Sequence, residues 1–445
     1  MFVKSVKTPG VAHLSYILGS QNQACVIDPR RDIDAYLAIA KEQGCNIELI
    51  IETHRNEDII SGAPILADIT GAKVIHGPNA DEPIQYAETC HDGDSFDIGN
   101  LRLEILETPG HTKDSISILL YDTDFDQGPV GVFTGDTLFI GDVGRADFYP
   151  DEAEAMAESL YNSLQKLADK APAALVYPAH GAGSVCGDGM AEREFSSIAH
   201  ELANNGMLKL DKDDFIHEKV KEEHDKPPYF STMEALNAKG AGAARAFETL
   251  KQLTPAGLED SLVIDVRGTE AFRGSHIPGA LCLPGGLISA YAGWILKDGQ
   301  RYAVMADSAD AAKSAYQELC RIGFDNCAGY CTTGLPMFAA QGNDFGSVPS
   351  VDTDVVKDRI DNGENWTLLD VRKPGEYDSA HIDGSSHIYL GELPDKLDTL
   401  DKKQHYTVMC ASGARATVAA SLLKANGIEQ ADVYLGSMGA WNNSK

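Results

Sequence analysis

Apolar residues in the first half of the chain form short runs separated by polar stretches, a pattern typical of strands that alternate with amphipathic helices. The runs predict strands at Ser15–Leu18, Ala24–Ile27, Ile47–Thr53, Leu101–Glu107, Ile116–Leu120 and Val130–Thr134. Helical spacing of apolar positions predicts helices near Ile33–Glu42 and Glu152–Ala168. The polar stretch Glu218–Asp225 is interpreted as a solvated helix face. The first half is therefore predicted to be a mixed α/β layer structure.

The second half of the chain contains an internal repeat. Ile264–Arg267 and Leu369–Arg372 share the pattern aliphatic-Asp-Val-Arg at a spacing of 105 residues, and His276 and His381 follow at the same spacing. In the second copy the pattern predicts a short parallel α/β sheet. Its predicted strands are Thr367–Val371, Tyr406–Met409 and Ala431–Tyr434, and its predicted helix is Ala414–Ala425.

Loose, Gly- and Pro-rich stretches separate these parts. Pro227-Pro228, Lys239–Gly242 and Gln341–Pro349 are predicted linkers. They divide the chain into residues 1–240, 241–345 and 346–445. A length of 445 residues agrees with this division, since domains average roughly 150 residues.

The net charge of the chain restricts the classes of ligand that it is expected to bind. Its 37 Lys and Arg against 67 Asp and Glu give a net charge of −30, which disfavours binding to nucleic acid or to an anionic membrane. No apolar run reaches the roughly 20 residues that cross a bilayer, and Met1–Lys4 lacks a secretion signal. The nine cysteines contain no C-x-x-C pair, which indicates reduced thiols and a cytoplasmic protein. Small molecules are the expected ligands.

Four loops that each follow an apolar strand carry metal-ligand residues. They are Thr53–Asp58, Thr108–His111, Thr134–Thr137 and Tyr177–Gly181. Loops at the ends of strands in one sheet can bring their side chains to one point. A single such histidine is more often structural, but four loops in series favour a metal site.

These residues resemble the metallo-β-lactamase superfamily, whose pattern is T-H-x-H-x-D-H, P-G-H-T, G-D and a late histidine. The resemblance implies an αββα sandwich with His54, His111 and Asp136 as metal ligands. Asn56 and Ile59 stand where the pattern has histidines, which argues against a dinuclear zinc site. The resemblance gives Asp58 and His180 the role of orienting ligands or substrate.

Two imidazoles and one carboxylate form a ligand set suited to non-haem Fe(II). Within the superfamily this subset resembles the persulfide dioxygenases, which implies one Fe(II) per chain. Two alternatives stay open: a zinc-dependent, glyoxalase II-like thioester hydrolase, and a metal-poor binding scaffold.

Two further residues in the first part are candidates. Arg145 lies in Gly141–Phe148, which resembles the G-R-x-D-F segment of the persulfide dioxygenases and implies a substrate-binding arginine. The alternative is a loop-shaping salt bridge from Arg145 to Asp147 or Asp142. Cys186 could carry sulfur or be a packing residue, and Cys25 is given no role.

The loop Cys410–Arg415 follows one predicted strand and opens a helix. This geometry directs backbone N–H groups at the cysteine sulfur and stabilises an anionic persulfide. Together with the repeated Asp-Val-Arg, the loop resembles the rhodanese family. Its Cys-x4-Arg spacing is one residue shorter than the Cys-x5-Arg of related phosphatases and favours sulfur transfer. Arg415 and the N–H groups of the loop, which contains Ser412 and Gly413, are predicted to hold the anion.

The first copy of the repeat has Ala306 where the second has Cys410. It therefore resembles an inactive rhodanese. The predicted fold is thus an αββα sandwich followed by two rhodanese-like α/β domains, and this order resembles the fused persulfide dioxygenase/sulfurtransferase proteins. The resemblance implies oxidation of a low-molecular-weight persulfide by O2 to sulfite, and exchange of sulfane sulfur at Cys410 with sulfite or thiosulfate. It also implies a homo-oligomer.

Overall fold

A computed structural model describes residues 1–124, 128–184, 189–222, 224–258, 260–363 and 365–444. The chain divides into two compact units. Unit 1 comprises residues 1–244 and 321–323, and unit 2 comprises residues 245–320 and 324–445.

Unit 1 contains two sheets. One runs in the order β1-β2-β3-β4-β5-β6, formed by β1 (Phe2–Thr8), β2 (His13–Ser20), β3 (Gln23–Ile27), β4 (Asn46–Glu52), β5 (Lys73–His76) and β6 (Glu88–Thr89). The other runs in the order β11-β10-β9-β8-β7, formed by β7 (Ser95–Ile98), β8 (Leu101–Glu107), β9 (Ile116–Asp122), β10 (Gly131–Gly135) and β11 (Leu175–Pro178).

Helices cover the outer faces of these sheets. They are α1 (Asp34–Gln43), α2 (Ala63–Thr70), α3 (Ala153–Lys170), α4 (Ile198–Asn204) and α5 (Lys212–Lys221). A further helix, α6 (Phe230–Lys239), lies against the loop that follows β4. One apolar core, which includes Leu18, Ile51, Leu103 and Phe133, lies between the sheets. Separate cores join α1 and α2 to the first sheet and α3 to the second. The predicted αββα sandwich is confirmed, because each sheet buries one face against its partner and the other under helices.

The interpretation of Glu218–Asp225 as a solvated helix face is wrong in part. Helix α5 ends at Lys221, and Lys219 within it is buried. The backbone carbonyls of His224 and Asp225 accept hydrogen bonds from Arg145. A charge-rich stretch can thus contribute through main-chain hydrogen bonds, and its amino-acid composition does not reveal them.

Unit 2 contains two sheets of the same strand order. The first runs β12-β16-β15-β13-β14, formed by β12 (Lys251–Gln252), β13 (Leu262–Asp265), β14 (Leu281–Cys282), β15 (Tyr302–Met305) and β16 (Cys327–Cys331). The second runs β17-β21-β20-β18-β19, formed by β17 (Ser350–Val351), β18 (Thr367–Asp370), β19 (Ser386–His387), β20 (Tyr406–Met409) and β21 (Ala431–Tyr434). Their paired strands are parallel, so the sequence repeat is a repeat of fold.

Helices of the first copy are α7 (Thr269–Gly274), α8 (Ile288–Ile295), α9 (Ala309–Arg321) and α10 (Leu335–Ala340). Those of the second are α11 (Thr353–Asp361), α12 (Pro374–Ser379), α13 (Leu393–Lys396), α14 (Ala414–Ala425) and α15 (Ser437–Asn443). Within unit 2 the first copy packs on α14: Arg273 Nη1 donates to Thr417 Oγ1 at 2.8 Å, and the Cys282 N–H donates to Ser421 Oγ at 3.0 Å. Helix α14 is consequently buried on nearly all sides, since every residue from Ala416 to Leu423 is buried.

The aspartate and arginine of the repeated Asp-Val-Arg form a buried salt bridge in both copies. Arg267 binds Asp265 through two nitrogens and also donates to the Ser275 carbonyl. Arg372 binds Asp370 in the same way. None of the helices in the described ranges is long and apolar enough to span a membrane.

Candidate metal centre and cysteine loop

The three predicted metal ligands lie in loops that follow strands of the two sheets of unit 1. His54 follows β4, His111 follows β8 and Asp136 follows β10, and all three are almost fully buried. The loop before His111 depends on Gly110, which has a φ of +146° and lies so close to α3 that a Cβ would be 2.3 Å from the Leu160 Cα. Only glycine fits there, so the Pro-Gly-His turn is a packing requirement as well as a sequence motif.

The structure brings these side chains together and adds a fourth. Among the residues described, His54, Glu57, His111 and Asp136 place one ligand atom each within 4.8 Å of all the others. His111 Nε2 lies 3.1 Å from Glu57 Oε1 and 3.4 Å from Asp136 Oδ2. His54 Nε2 lies 3.9 Å from Glu57 Oε2 and 4.0 Å from Asp136 Oδ2. Glu57 was not predicted, because the family pattern carries no ligand at that position.

Hydrogen bonds on the outer side of each imidazole select the tautomer that can bind a metal. The Thr53 hydroxyl donates to Asp28 Oδ2 at 2.8 Å and therefore accepts from His54 Nδ1 at 2.9 Å. His111 Nδ1 donates to the Arg145 carbonyl at 3.0 Å. Each Nε2 therefore faces the cluster and is the atom available to a metal, as in metal-binding histidines.

Asp58 and His180 form a chain behind Asp136. His180 Nδ1 lies 2.8 Å from Asp136 Oδ1, and its Nε2 lies 3.0 Å from Asp58 Oδ2. The position is compatible with the orienting role proposed for both residues.

Burial and neighbouring charges perturb the protonation of these groups. Burial lowers the pKa of His54. Burial also opposes protonation of His111, but Glu57, Asp136 and the Arg145 carbonyl together outweigh it and raise the pKa of His111. Burial disfavours ionised Asp136, yet His180, His111 and His54 together hold its pKa well below the usual range. The carboxylate is thus held in the ionised form that a metal requires.

The donors fit a divalent transition metal. His54 Nε2 and Asn56 Oδ1 are buried and make no hydrogen bond to any described residue. An unpaired buried polar atom is costly, and a cation in the cluster would satisfy the imidazole. Two imidazoles with carboxylates form a set that suits iron or zinc.

Arg145 makes the loop-shaping salt bridge to Asp147, and its role in substrate binding stays a prediction. Its side chain is fully buried, and its Nε and Nη2 donate to the two oxygens of Asp147 at 2.6 and 2.7 Å. Its guanidinium lies 4.8 Å from the centre of the Phe148 ring, which packs edge-on against His111. Burial opposes the ionisation of Asp147, but the bonds from Arg145 outweigh it and lower its pKa. Arg145 therefore fixes the loop that backs His111.

Side chains of α6 and its first flanking residue hold the His54–Ser61 loop from behind. Asn237 Nδ2 donates to the carbonyls of Asn56 and Ile59 at 2.7 and 2.8 Å, and Asn237 Oδ1 accepts from the Ser61 N–H at 2.9 Å. The Tyr229 hydroxyl donates to the Asp58 carbonyl at 3.0 Å. No motif marks these residues, since they lie about 180 positions from the loop.

A cavity of about 540 Å³ is lined in part by His180, whose Nδ1 contacts Asp136 of the centre. Its walls include His13, Leu14, Ile140 and Met190.

Cys186, the candidate sulfur carrier, lies outside the described residues. Cys25 is buried in the core between the sheets, and burial raises the pKa of its thiol well above the usual range, so it is a packing residue.

The second site is the loop between β20 and α14 of unit 2. The Cys410 side chain is buried, and its Sγ accepts from the Gly413 N–H at 3.1 Å. Gly413 has a φ of +114° and directly precedes α14, so the loop turns to bring an N–H of the helix start onto the sulfur. The Cys410 N–H donates to Ser437 Oγ at 3.1 Å, which anchors the loop.

Arg415, beside this loop, is paired with the carboxylate of Glu376. Its two terminal nitrogens donate to the two oxygens of Glu376, and that hydrogen-bonded pairing raises the pKa of Arg415. Glu376 was not predicted, although its position six residues after Asp370 places it on α12. An anion at Cys410 would share Arg415 with this carboxylate.

The first copy of the repeat lacks these features. Ala306 follows β15 as Cys410 follows β20, and α9 begins at Ala309 after three residues whereas α14 begins after four. The loop therefore has neither a thiol nor the same length.

The comparisons with known proteins agree with this architecture. Residues 8–180 match the model of the metallo-beta-lactamase superfamily, and residues 247–341 and 352–444 each match the rhodanese-like domain. Glyoxylase B2 of Dictyostelium discoideum is 30% identical over 222 residues, which cover 44% of this chain and 69% of that protein. The chain belongs to the metallo-beta-lactamase superfamily. It combines that domain with two rhodanese-like domains, and both are enzyme families.

Two further similarities bear on the branch of the family. The mitochondrial persulfide dioxygenase ETHE1 of Bos taurus is 29% identical over 227 residues, covering 48% of this chain and 79% of that protein. A solved metallo-beta-lactamase from Staphylococcus aureus subsp. aureus COL is 28% identical with a TM-score of 0.68, and covers 74% of this chain and 98% of that one. Because residues 1–244 are little more than half of the chain, this likeness extends into unit 2.

Proposed function

We propose that unit 1 oxidises a low-molecular-weight thiol persulfide to sulfite with O2, and that Cys410 in unit 2 transfers sulfane sulfur. The observation that carries this proposal is a selective loss of ligands. His54, His111 and Asp136 remain clustered and buried, while Asn56 and Ile59 replace two histidines of the dinuclear pattern. The similarity to a persulfide dioxygenase supports the same assignment.

The proposed metal is one Fe(II) per chain, held by His54, His111 and Asp136. When bound, Fe(II) supplies the capacity to react with O2 that these side chains lack. The reaction balances as one persulfide, one O2 and one water giving one thiol, one sulfite and two protons. Four electrons pass from the outer sulfur to oxygen, so no other reductant is needed.

The residues of the chain prepare the site for this chemistry. Thr53 and the Arg145 carbonyl orient the two imidazoles, and His180 with Asp58 orients Asp136. Burial keeps bulk water away and strengthens each electrostatic contact. We assign the thiol-bearing part of the substrate to the cavity beside His180, whose volume of about 540 Å³ suits a small organic ligand.

Cys410 completes the sulfur chemistry. Its thiolate would attack the outer sulfur of thiosulfate, the S–S bond would break, and sulfite would leave with the bonding electron pair. The resulting cysteine persulfide would pass its sulfur to a thiol acceptor or, in reverse, to sulfite. Gly413 and its neighbours hold the anion, and Arg415 supplies positive charge against the net charge of −30.

Metal analysis of anaerobically purified full-length chain, combined with oxygen uptake on glutathione persulfide, tests the proposal. We expect about one iron per chain and oxygen uptake matched by sulfite formation. Two zincs per chain without oxygen uptake would instead support the thioester hydrolase, an alternative kept open by the similarity to Glyoxylase B2. Negligible metal would support the binding scaffold.

A further inference from the structure

We infer that Glu57 is a metal ligand and takes the place of the imidazole that Asn56 has removed. The inference deepens the proposed function, because it concerns the same metal centre. It goes beyond the family pattern, which has no ligand at this position.

The sequence lacks a histidine ligand at position 56 and has a carboxylate at the next position, Glu57. The pattern T-H-x-H places a histidine at position 56, where this chain has asparagine and then a glutamate. A glutamate side chain is long enough to reach back from the next position to the same centre. The loop thus exchanges a neutral ligand for an anionic one without changing its length.

The geometry shows Glu57 between the two histidines. Its Oε1 lies 3.1 Å from His111 Nε2 and its Oε2 lies 3.9 Å from His54 Nε2. Atoms that bind one ion at about 2.0 to 2.2 Å are separated by roughly 3 to 3.5 Å. The spacing to His111 lies in this range, and the spacing to His54 is a few tenths of an ångström longer. Both imidazoles form hydrogen bonds through Nδ1 on the side away from the cluster. Their Nε2 atoms therefore face the Glu57 carboxylate.

The charge of the site also supports Glu57 as a metal ligand. Glu57 and Asp136 are two carboxylates buried at 2% and 1% exposure, and burying two negative charges side by side is costly without a compensating cation. A divalent ion would balance them, since the two imidazoles are neutral ligands. The residue set is then two histidines and two carboxylates, which favours iron or manganese over softer ions.

Cobalt binding tests the inference without reference to catalysis. Metal-free full-length protein is titrated with Co²⁺ alone, and the visible absorption of the bound ion gives both affinity and coordination. Glu57→Gln keeps the size of the side chain and removes its charge. Glu52→Gln is the matched control, because Glu52 is equally buried in unit 1 but lies outside the cluster.

We expect E57Q to weaken Co²⁺ binding by more than about 100-fold and to change the spectrum, since loss of even an outer partner costs roughly 10- to 100-fold. E52Q should match the unchanged chain. Unchanged affinity and spectrum in E57Q would overturn the inference, as would metal loss in Asn56→Ala with none in E57Q, which would assign the ligand to the amide.

Circular dichroism establishes that each variant is folded. Should E57Q not fold, Glu57→Asp retains the charge on a shorter side chain, and the same two readings apply: an altered spectrum supports the inference and an unaltered one overturns it. Because no persulfide or oxygen is used, failure of this test is distinguishable from failure of the proposed dioxygenase activity.

Discussion

The guanidinium of Arg415 is held by the carboxylate of Glu376 through two hydrogen bonds of 2.5 and 2.7 Å. The pair joins the start of α14 to α12, and thereby ties the cysteine loop to the helix that follows the neighbouring strand β18. Arg415 therefore both braces the loop and provides its positive charge.

The hydrogen bonds from Arg415 lower the pKa of Glu376 below its ordinary value of 4.5. A lowered folded-state pKa means that the ionised pair stabilises the fold fully above about pH 4.5, and that this contribution is lost as the pH falls further. We expect Glu376→Gln to be less stable than the unchanged chain at pH 7 by about 0.5 to 1 kcal/mol, since the pair is partly exposed. Urea unfolding of unit 2, followed between pH 3 and pH 7, should show the difference shrinking at the acidic end. A constant difference would contradict the assigned pair.

His111→Ala should abolish oxygen consumption with glutathione persulfide and leave thiosulfate sulfurtransfer within about twofold. The reason is that His111 belongs to the unit 1 cluster, whereas the cysteine loop lies in unit 2. An oxygen electrode and a thiocyanate-forming assay measure the two activities. His91→Ala, which alters an exposed histidine, is the control. Equal loss of both activities in His111→Ala would show that the sites are not separate.

Cys410→Ser should have the opposite effect. The hydroxyl is a far weaker nucleophile than the thiolate, so sulfurtransfer should fall by at least about 1,000-fold, while oxygen uptake persists. Cys45→Ser, at a partly exposed cysteine of unit 1, should retain both activities. Sulfurtransfer that survives in Cys410→Ser would remove Cys410 from the mechanism.

Asn237→Asp should weaken metal binding without touching a ligand. The new carboxylate oxygen would face the carbonyls of Asn56 and Ile59 in place of the amide hydrogens, which repels the loop that carries His54. We expect a loss of roughly 10- to 100-fold in metal affinity, read by Co²⁺ titration well below the melting temperature. Asn204→Asp, at an exposed asparagine, should change nothing. A lowered melting temperature with unchanged affinity would reduce Asn237 to a purely structural residue.

Local patterns predicted the elements that carry the chemistry. The strands at Leu101–Glu107, Tyr406–Met409 and Ala431–Tyr434 and the helix at Ala414–Ala425 agree with the structure at both ends, because apolar runs bounded by turn residues reflect local burial. Strand β1 was missed. It is an edge strand that pairs only with β2 among the described strands, and its exposed positions include polar residues such as Ser5, so its apolar signal is weak.

Contacts between distant parts of the chain were beyond the reach of those patterns. Glu57 was overlooked because the motif, and not the shape of the loop, defined the candidate ligands. The substrate role given to Arg145 depends on a segment resemblance and stays a prediction, whereas its pairing with Asp147 is seen directly in the structure. Asn237 meets its loop only through the tertiary fold.

The packing of the first repeat on α14 has a consequence for the folding of the second. Arg273 and the Cys282 main chain supply hydrogen-bond partners to Thr417 and Ser421 on the helix that follows Cys410. Deleting that copy would open the buried side of this helix to solvent. The two copies therefore lie in one compact unit, and the second is not a separable module.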